Sequence, residues 1–431
     1  MKKPSHGARA GKQLRLRLAG WMRAGAILAA VLARSVPVQA EGLSIHGFGT
    51  LGIAHVDQPA DWAYTRSLNQ KHNGSRLRAD LDSVVGLQLN YRPLTALEFV
   101  GQASYARLGG EARRSDFLQL AYLAWRPGAD WSVRAGRLNL DAYLISEYRD
   151  VGYTYPFIRP PVEFYSRMPD SLDGLDVTRT WVSGDAQWRA KAFAGHTTAG
   201  IGERRLKLEP MHGVMLERED NGLLLRVSAL RARTHTNRLA PLLDALHDMQ
   251  ALPVPQVADE AAGLATALAT SGAFTSYLAA AVAYDRNDWL LQVEVNRAWA
   301  RKSSAINFNS GYVSFGRRFG AITAYLMESA ALRDYGAFVT PDWATPLAGI
   351  DPLLAQQSQA LASAATTAAN KLAGSQFTTS AGLRWDVAPR LALKTQLDVV
   401  HTRRDGDGLW HRADGRKANS TILGVAADFV F

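Results

Sequence analysis

The stretch "VVGLQLNYRPLTALEFVGQASY", residues 84–105, contains two runs in which apolar residues alternate with small or polar ones. The apolar positions on one side are Val85, Leu87, Leu89 and Tyr91 in the first run, and Leu97, Phe99, Ala103 and Tyr105 in the second. Successive side chains of a β-strand point to opposite faces, so each run predicts a strand with one apolar and one polar face. The intervening "RPLT" favours a tight turn, and the stretch therefore predicts an antiparallel hairpin.

The same alternation recurs along the chain. The runs are 43–57, 82–92, 96–108, 115–125, 131–137, 174–182, 187–197, 211–219, 223–233, 275–285, 289–300, 309–317, 321–332, 376–387, 391–403 and 418–431. Repeated, even-numbered runs of this kind are typical of bacterial outer-membrane barrels, in which one face meets lipid and the other a water-filled lumen. The predicted fold class is all-β, a transmembrane antiparallel β-barrel of about 16 strands.

The connections between the runs alternate in length. Seven are short and rich in turn-forming residues, centred on "RPLT", "RPGAD", "SGDA", "DNG", "DRND", "RRFG" and "VAPR". The longer ones include 58–81, 138–173, 234–274, 333–375 and 404–417. This alternation predicts short periplasmic turns and long external loops. Two alanine-rich segments in the external loops, 257–270 and 352–373, are predicted to be helical and to serve as a gate, a receptor surface, a protomer contact or solvated decoration.

The N-terminal residues 1–40 have the pattern of a cleaved secretory signal, with a basic start, the apolar run "AGAILAAVLA" and small residues before Glu41. This leaves a single barrel domain, 41–431. The segment carries eight of the 49 Lys and Arg residues and no acid, so its removal reduces the formal charge from +10 to +2. Nucleic-acid binding thereby loses its electrostatic support. The chain has no cysteine, which excludes a disulfide-stapled scaffold.

Both ends of the barrel domain resemble those of the Gram-negative outer-membrane porin superfamily. The glycine-rich "LSIHGFGTLGIAHVD", 43–57, is similar to porin first strands, and "TILGVAADFVF", 421–431, is similar to their last strand. The resemblance implies an outer-membrane location in contact with lipid, a terminal Phe431 read by the barrel assembly machinery, and a homotrimer. It also implies a channel for passive diffusion of small hydrophilic solutes or ions, with no cofactor, narrowed by the third external loop, 138–173.

Charged residues in such a passage set its selectivity, because low-dielectric walls strengthen their field. The predicted pore-lining residues are Arg134, Arg189, Lys191, Arg226, Arg384 and Lys394 on the wall, and Glu147, Arg149, Asp150, Arg159, Glu163 and Arg167 in the third loop. Aromatic residues of the loop could stack on solutes. They are Tyr148, Tyr153, Tyr155 and Phe157. The alternatives are that the charges pair across strands and that the rings hold the loop on the wall.

Two other classes of function are compatible with a barrel. A barrel enzyme needs a nucleophile or activated water with a base nearby, and the sequence offers no G-x-S-x-G or HExxH motif and no close set of histidines. No catalytic residue and no metal ligand is therefore predicted. An adhesive or purely structural barrel would carry external loops much like these, and it stays open as an alternative.

Overall fold

The structure is a computed structural model. It describes residues 39–431 except 41, 60–61, 68–69, 71–72, 107–116, 167–168, 202–203, 238, 302, 304–306, 335, 373–374, 404–409 and 412–417. All of the predicted signal segment except Gln39 and Ala40 lies outside the described residues, as does Arg167.

Sixteen antiparallel strands form a closed barrel, which confirms the predicted fold class and strand number. They are β1 Leu43–Asp57, β2 Val84–Leu94, β3 Leu97–Ala106, β4 Leu118–Trp125, β5 Trp131–Asn139, β6 Ser171–Ser183, β7 Ala186–Ile201, β8 Arg204–Asp220, β9 Leu223–His235, β10 Phe274–Arg286, β11 Trp289–Ala300, β12 Phe308–Phe319, β13 Ile322–Arg333, β14 Gln376–Ala388, β15 Leu391–Thr402 and β16 Ala418–Val430. The prediction is least accurate for β8, which begins at Arg204 rather than 211. This first part of the strand carries charged residues that hide the alternation.

The barrel closes where β1 pairs with β16, from Phe48 opposite Val430 to Asp57 opposite Thr421. One residue further, Gly47 and Phe431 exchange two backbone hydrogen bonds of 2.9 Å each. Closure leaves no strand edge unpaired, and lipid offers no water to satisfy an open edge. Two further two-residue strands, Gln39–Ala40 and Leu77–Arg78, pair with β1 at the rims.

Glycines in β1 allow two aromatic rings to cross this seam. The ring of Phe429 covers Gly49, where an added Cβ would lie 2.5 Å from a ring carbon. The ring of Phe431 covers Gly47 so closely that a Cβ there would overlap it. The seam therefore depends on small residues in the first strand and large ones in the last.

The outer face of the barrel is apolar. Exposed side chains on it include Leu51, Ile53, Val85, Leu87, Leu89, Phe99, Val214, Val227, Leu278, Val295, Phe315, Leu326, Leu383, Leu397, Leu423 and Val425. Tryptophans with arginines mark one end of this belt, where Arg317 lies 4.5 Å from the ring centre of Trp289 and Arg179 lies 5.6 Å from that of Trp181. An apolar belt bordered by an aromatic girdle is the arrangement of a barrel that meets lipid. No helix among the described residues is both long enough and apolar enough to cross a membrane.

Helices occur only in the loops of the described chain. They are α1 Val162–Tyr165, α2 Ala240–Gln250, α3 Pro255–Leu268, α4 Ala344–Ala348 and α5 Pro352–Leu372. Helices α3 and α5 occupy the two segments predicted to be helical from their alanine content, whereas α2 was not predicted. Apolar residues of α2 to α5 share one buried core with Trp343, whose Nε1 donates to Glu260 Oε2 at 2.8 Å. We call α2 to α5 the helical cap.

Substitution of Gly47 by Val is expected to lower the free energy of unfolding by about 1–3 kcal/mol, because the new side chain overpacks against Phe431. The midpoint of urea unfolding in lipid vesicles, followed by tryptophan fluorescence, measures this loss. Gly101→Val is the matched control, since Gly101 also lies in a strand and a Cβ there meets nothing within 4 Å. Equal midpoints for the two variants would show that the seam does not need a glycine.

Candidate pore constriction

The third external loop, residues 140–170, which we call L3, lies inside the barrel. Its apolar residues share a buried core with inward-facing residues of β7 to β13. The loop members are Leu140, Ala142, Tyr143, Leu144, Ile145, Tyr155, Phe157, Phe164 and Tyr165, and the wall members include Phe193, Met211, Leu230, Tyr277, Tyr312, Tyr325 and Met327. At its centre the ring of Tyr143 meets those of Phe164 and Tyr165 edge-on, at 5.0 and 5.3 Å between centroids. L3 is therefore held on this wall as a protein core is held.

A carboxylate anchors the beginning of L3. Asp141 is 2 % exposed and accepts hydrogen bonds from Lys191 on β7 and Arg226 on β9. Burial alone would raise the pKa of Asp141, but Lys191 and Arg226 lower it well below its usual value. Arg226 also donates to the carbonyl of Tyr143. Two of the six predicted wall cations, Lys191 and Arg226, therefore bind L3.

A cation anchors the second half of L3. The buried guanidinium of Arg159 donates to both carboxylate oxygens of Asp82, at 2.8 and 2.9 Å, and to Asp398 on β15. Asp82 belongs to the first external loop, residues 58–83, which we call L1. Arg159 thus joins L3 to both L1 and the wall. The two anchors have opposite polarity, acidic in the loop at Asp141 and basic in the loop at Arg159.

Wall cations also hold the middle of L3 through backbone carbonyls. Lys394 Nζ donates to the carbonyls of Gly152 and Phe157 at 2.6 and 2.9 Å, and Arg384 donates to the carbonyl of Tyr153 at 2.5 Å. Gly152 approaches β1 so closely that a Cβ on it would lie 2.5 Å from Thr50 Oγ1. The predicted pore-lining residues Arg384 and Lys394 therefore face the lumen but are engaged by the loop.

Two buried carboxylates bind the loop through neutral donors. Glu163, in α1, accepts from Ser329 Oγ at 2.6 Å, from Gln376 Nε2 at 2.5 Å and from Thr378 Oγ1. Burial raises the pKa of Glu163. Glu294, on β11, plays the reciprocal part for the beginning of L3 and accepts from the backbone N–H of Leu144 at 2.9 Å.

One charged group of L3 both contacts wall cations and keeps contact with water. Glu147, whose side chain is 34 % exposed, lies 3.0 Å from Lys191, 3.3 Å from Arg134 and 3.4 Å from Arg189. We call this group, with its partners, the charged cluster. It comprises the cations Arg134, Arg189, Lys191 and Arg226 and the anions Asp141, Glu147, Asp176 and Glu217. The four formal positive charges are balanced by four negative ones.

The aromatic residues predicted to stack on solutes fall into two pairs. Tyr155 and Phe157 stack on each other at 4.7 Å and are buried. Tyr148 is 38 % exposed, and Tyr153 is partly exposed with Arg384 4.7 Å from its ring centre. Of the other predicted loop residues, Asp150 is partly exposed, and Arg149 pairs with Asp170 and donates to the carbonyl of Tyr165 at 3.3 Å.

A second layer of loops lies over L3. Ala63 and Tyr64 of L1 pair as a short antiparallel bridge with Trp410 and His411 of the last external loop. The rings of Trp62 and Tyr64 lie 5.5 and 4.8 Å from that of Trp410, and these rings share a buried core with Val162 of L3. Large aromatic residues in otherwise polar loops were the sole sequence feature that could have indicated this inward fold.

Comparison with known proteins identifies the fold alone. No protein-family model matches the chain, and no curated protein gives a significant sequence match. Among solved structures, the outer-membrane channel DcaP of Acinetobacter baumannii has a TM-score of 0.52 at 11% identity, covering 92% of this chain and 100% of that one. The anion-selective porin from Comamonas acidovorans has a TM-score of 0.51 at 11% identity, covering 90% and 99%. Salmonella typhi OmpF, in complex with daunomycin, has a TM-score of 0.51 at 12% identity, covering 92% and 100%.

The chain therefore has the 16-stranded fold of Gram-negative outer-membrane porins. Among the residues that the structure describes, no three His, Asp or Glu side chains are arranged as a metal site would require.

Replacement of Arg159 by Ala is expected to lower the free energy of unfolding by about 3–5 kcal/mol, because it leaves two buried carboxylates without a counterion. Urea titration of the vesicle-inserted barrel measures the change. Arg297→Ala is the control, since Arg297 is 58 % exposed where it pairs with Asp334, and exposed pairs contribute about 0–1 kcal/mol. A loss for Arg159→Ala no larger than for Arg297→Ala would contradict the anchoring role.

Proposed function

We propose that the chain is an outer-membrane porin for passive diffusion of small hydrophilic solutes or ions, and that L3 forms its constriction. The observation that carries this proposal is the placement of L3 inside a closed 16-stranded barrel, where buried ion pairs at Asp141 and Arg159 fix it. A stiff segment inside a wide barrel narrows it without needing to move, as a size filter requires.

The proposed solute path follows the wall opposite the anchors. The anchors described above reach L1, β7, β9, β11 and β13 to β15. On β2, by contrast, the half-buried side chains of Gln88 and Asn90 bond to each other at 2.9 Å, and Asn90 donates to Glu98 at 3.3 Å. Farther round the barrel, the path passes the water-exposed side of the charged cluster, where Glu147 lies beside Arg134 and Arg189. Polar groups that bond along the wall rather than to L3 leave room between the wall and the loop.

Three expectations accompany the proposal. Of the predicted pore-lining residues, Glu147, Arg134 and Arg189 contact permeating solutes, and of the predicted stacking residues, Tyr148 and Tyr153 do so. The barrel assembles as a homotrimer, and the barrel assembly machinery reads Phe431. Adhesion and barrel-bound catalysis remain the competing functions, and a barrel that folds but passes no current in planar bilayers would favour them over the porin.

Replacement of Gln88 by Trp is expected to reduce single-channel conductance by at least about half, because pore radius at the narrow section limits ion flow. Planar-bilayer recording of the purified protein in potassium chloride measures this effect. Leu89→Trp is the control, since Leu89 is the next residue of β2 but is 42 % exposed on the lipid face. Unchanged conductance in Gln88→Trp would remove the path along β2, while leaving channel activity itself established.

A further inference from the structure

No cation of the charged cluster depends on Glu147 alone. Each cation near it has a second, better-placed partner. Arg134 donates to Asp176 at 2.5 Å, and Arg189 donates to Glu217 at 3.0 and 3.2 Å. Lys191 donates to Asp141. Departure of Glu147 would therefore leave none of these three cations without a counterion.

Exposure separates Glu147 from the other carboxylates of the charged cluster. The side chains of Asp141 and Asp176 are 1 % and 2 % exposed, whereas that of Glu147 is 34 % exposed. Its distances to Arg134 and Arg189, 3.3 and 3.4 Å, are also longer than that between Arg134 and Asp176. A partly exposed carboxylate loses less free energy on leaving its partners than a buried one does, because water can take the place of its contacts.

The charge balance shows what would replace it. Without Glu147 the cluster holds four cations and three anions, which leaves one formal positive charge beside a water-filled passage. Two of the three cations are guanidinium groups, whose planar forks match the two oxygens of a carboxylate. The site is therefore built for one carboxylate, and in the resting structure L3 supplies that group itself.

We propose that Arg134, Arg189 and Lys191 form a binding site for the carboxylate of a permeating solute, and that Glu147 is an internal competitor that occupies the site until a solute displaces it. The inference rests on the proposed function and adds a solute class to it, small organic carboxylates. It also explains why an acid stands at the exposed position 147 of L3. With Glu147 in place, the charged cluster has no excess positive charge that would hold passing inorganic anions.

Propionate is the natural probe, because it is the side chain of glutamate without its backbone. Equilibrium titration of the detergent-solubilised barrel with carbon-13 propionate gives its affinity by line broadening. If Glu147 holds the site for about nine-tenths of the time, Glu147→Gln should strengthen propionate binding about tenfold. The further change Arg189→Gln in that background should abolish the gain, whereas neutral propionamide should bind equally weakly to all variants.

Asp386→Asn is the matched control. Asp386 is a lumen carboxylate of similar exposure, 39 %, paired with Arg384 away from the cluster, so it removes the same charge without freeing the proposed site. Equal gains in Asp386→Asn and Glu147→Gln would overturn the inference, since the effect would then be one of net charge. No gain in Glu147→Gln would overturn it as well.

Bilayer recording separates the inference from the proposed function. In potassium chloride, Glu147→Gln should raise the anion-to-cation permeability ratio several-fold more than Asp386→Asn does. Propionate should also block the current of the Glu147→Gln channel at a lower concentration than it blocks the current of the unmodified channel. A barrel that conducts nothing but binds propionate more tightly as Glu147→Gln would refute the channel and support the site. A barrel that conducts, but whose propionate affinity and permeability ratio do not change in Glu147→Gln, would support the channel and refute the site.

Discussion

Closure of the sheet is the constraint on which the rest of this structure depends. Backbone groups facing lipid find no water to bond to, so the first strand must meet the last, and Gly47 and Phe431 complete that ring of hydrogen bonds. Closing sixteen strands encloses a lumen too wide for wall side chains alone to fill. Loops can then enter this space, and L3, L1 and the last external loop do so in two layers.

Loops that enter a lumen bring their own charges into a poorly hydrated space, where an unpaired charge is costly. Here the costs are offset in pairs, because Asp141 of L3 meets wall cations and Arg159 of L3 meets carboxylates. The opposite polarity of the two anchors fixes the direction of the loop, since a reversed loop would place like charges together. Apolar packing between the anchors stabilises L3 against the wall, whereas the ion pairs specify a single position and direction for the loop.

The architecture was predictable from the sequence because alternation and turn chemistry are local properties. They predicted all sixteen strands, most to within a few residues, and placed the third loop correctly between β5 and β6. The role of each charge was less accessible. The sequence predicted that Lys191, Arg226 and Lys394 face the lumen. Their partners lie as many as 242 residues away along the chain, so only the fold shows which cations bind the loop. The inward fold of Trp62 and Trp410 was missed for the same reason.

The short bridge between Ala63–Tyr64 and Trp410–His411 has a mechanical consequence. It joins the loop that follows β1 to the loop that precedes β16, the two strands most distant in sequence. The bridge therefore spans the seam at which the barrel closes. Contacts of such long range form late, after the intervening chain has been ordered. Once the bridge has formed, separation of β1 from β16 requires breaking the bridge between the loops as well as the hydrogen bonds of the seam. The first and last strands to be synthesised are thereby held together by two separate sets of contacts.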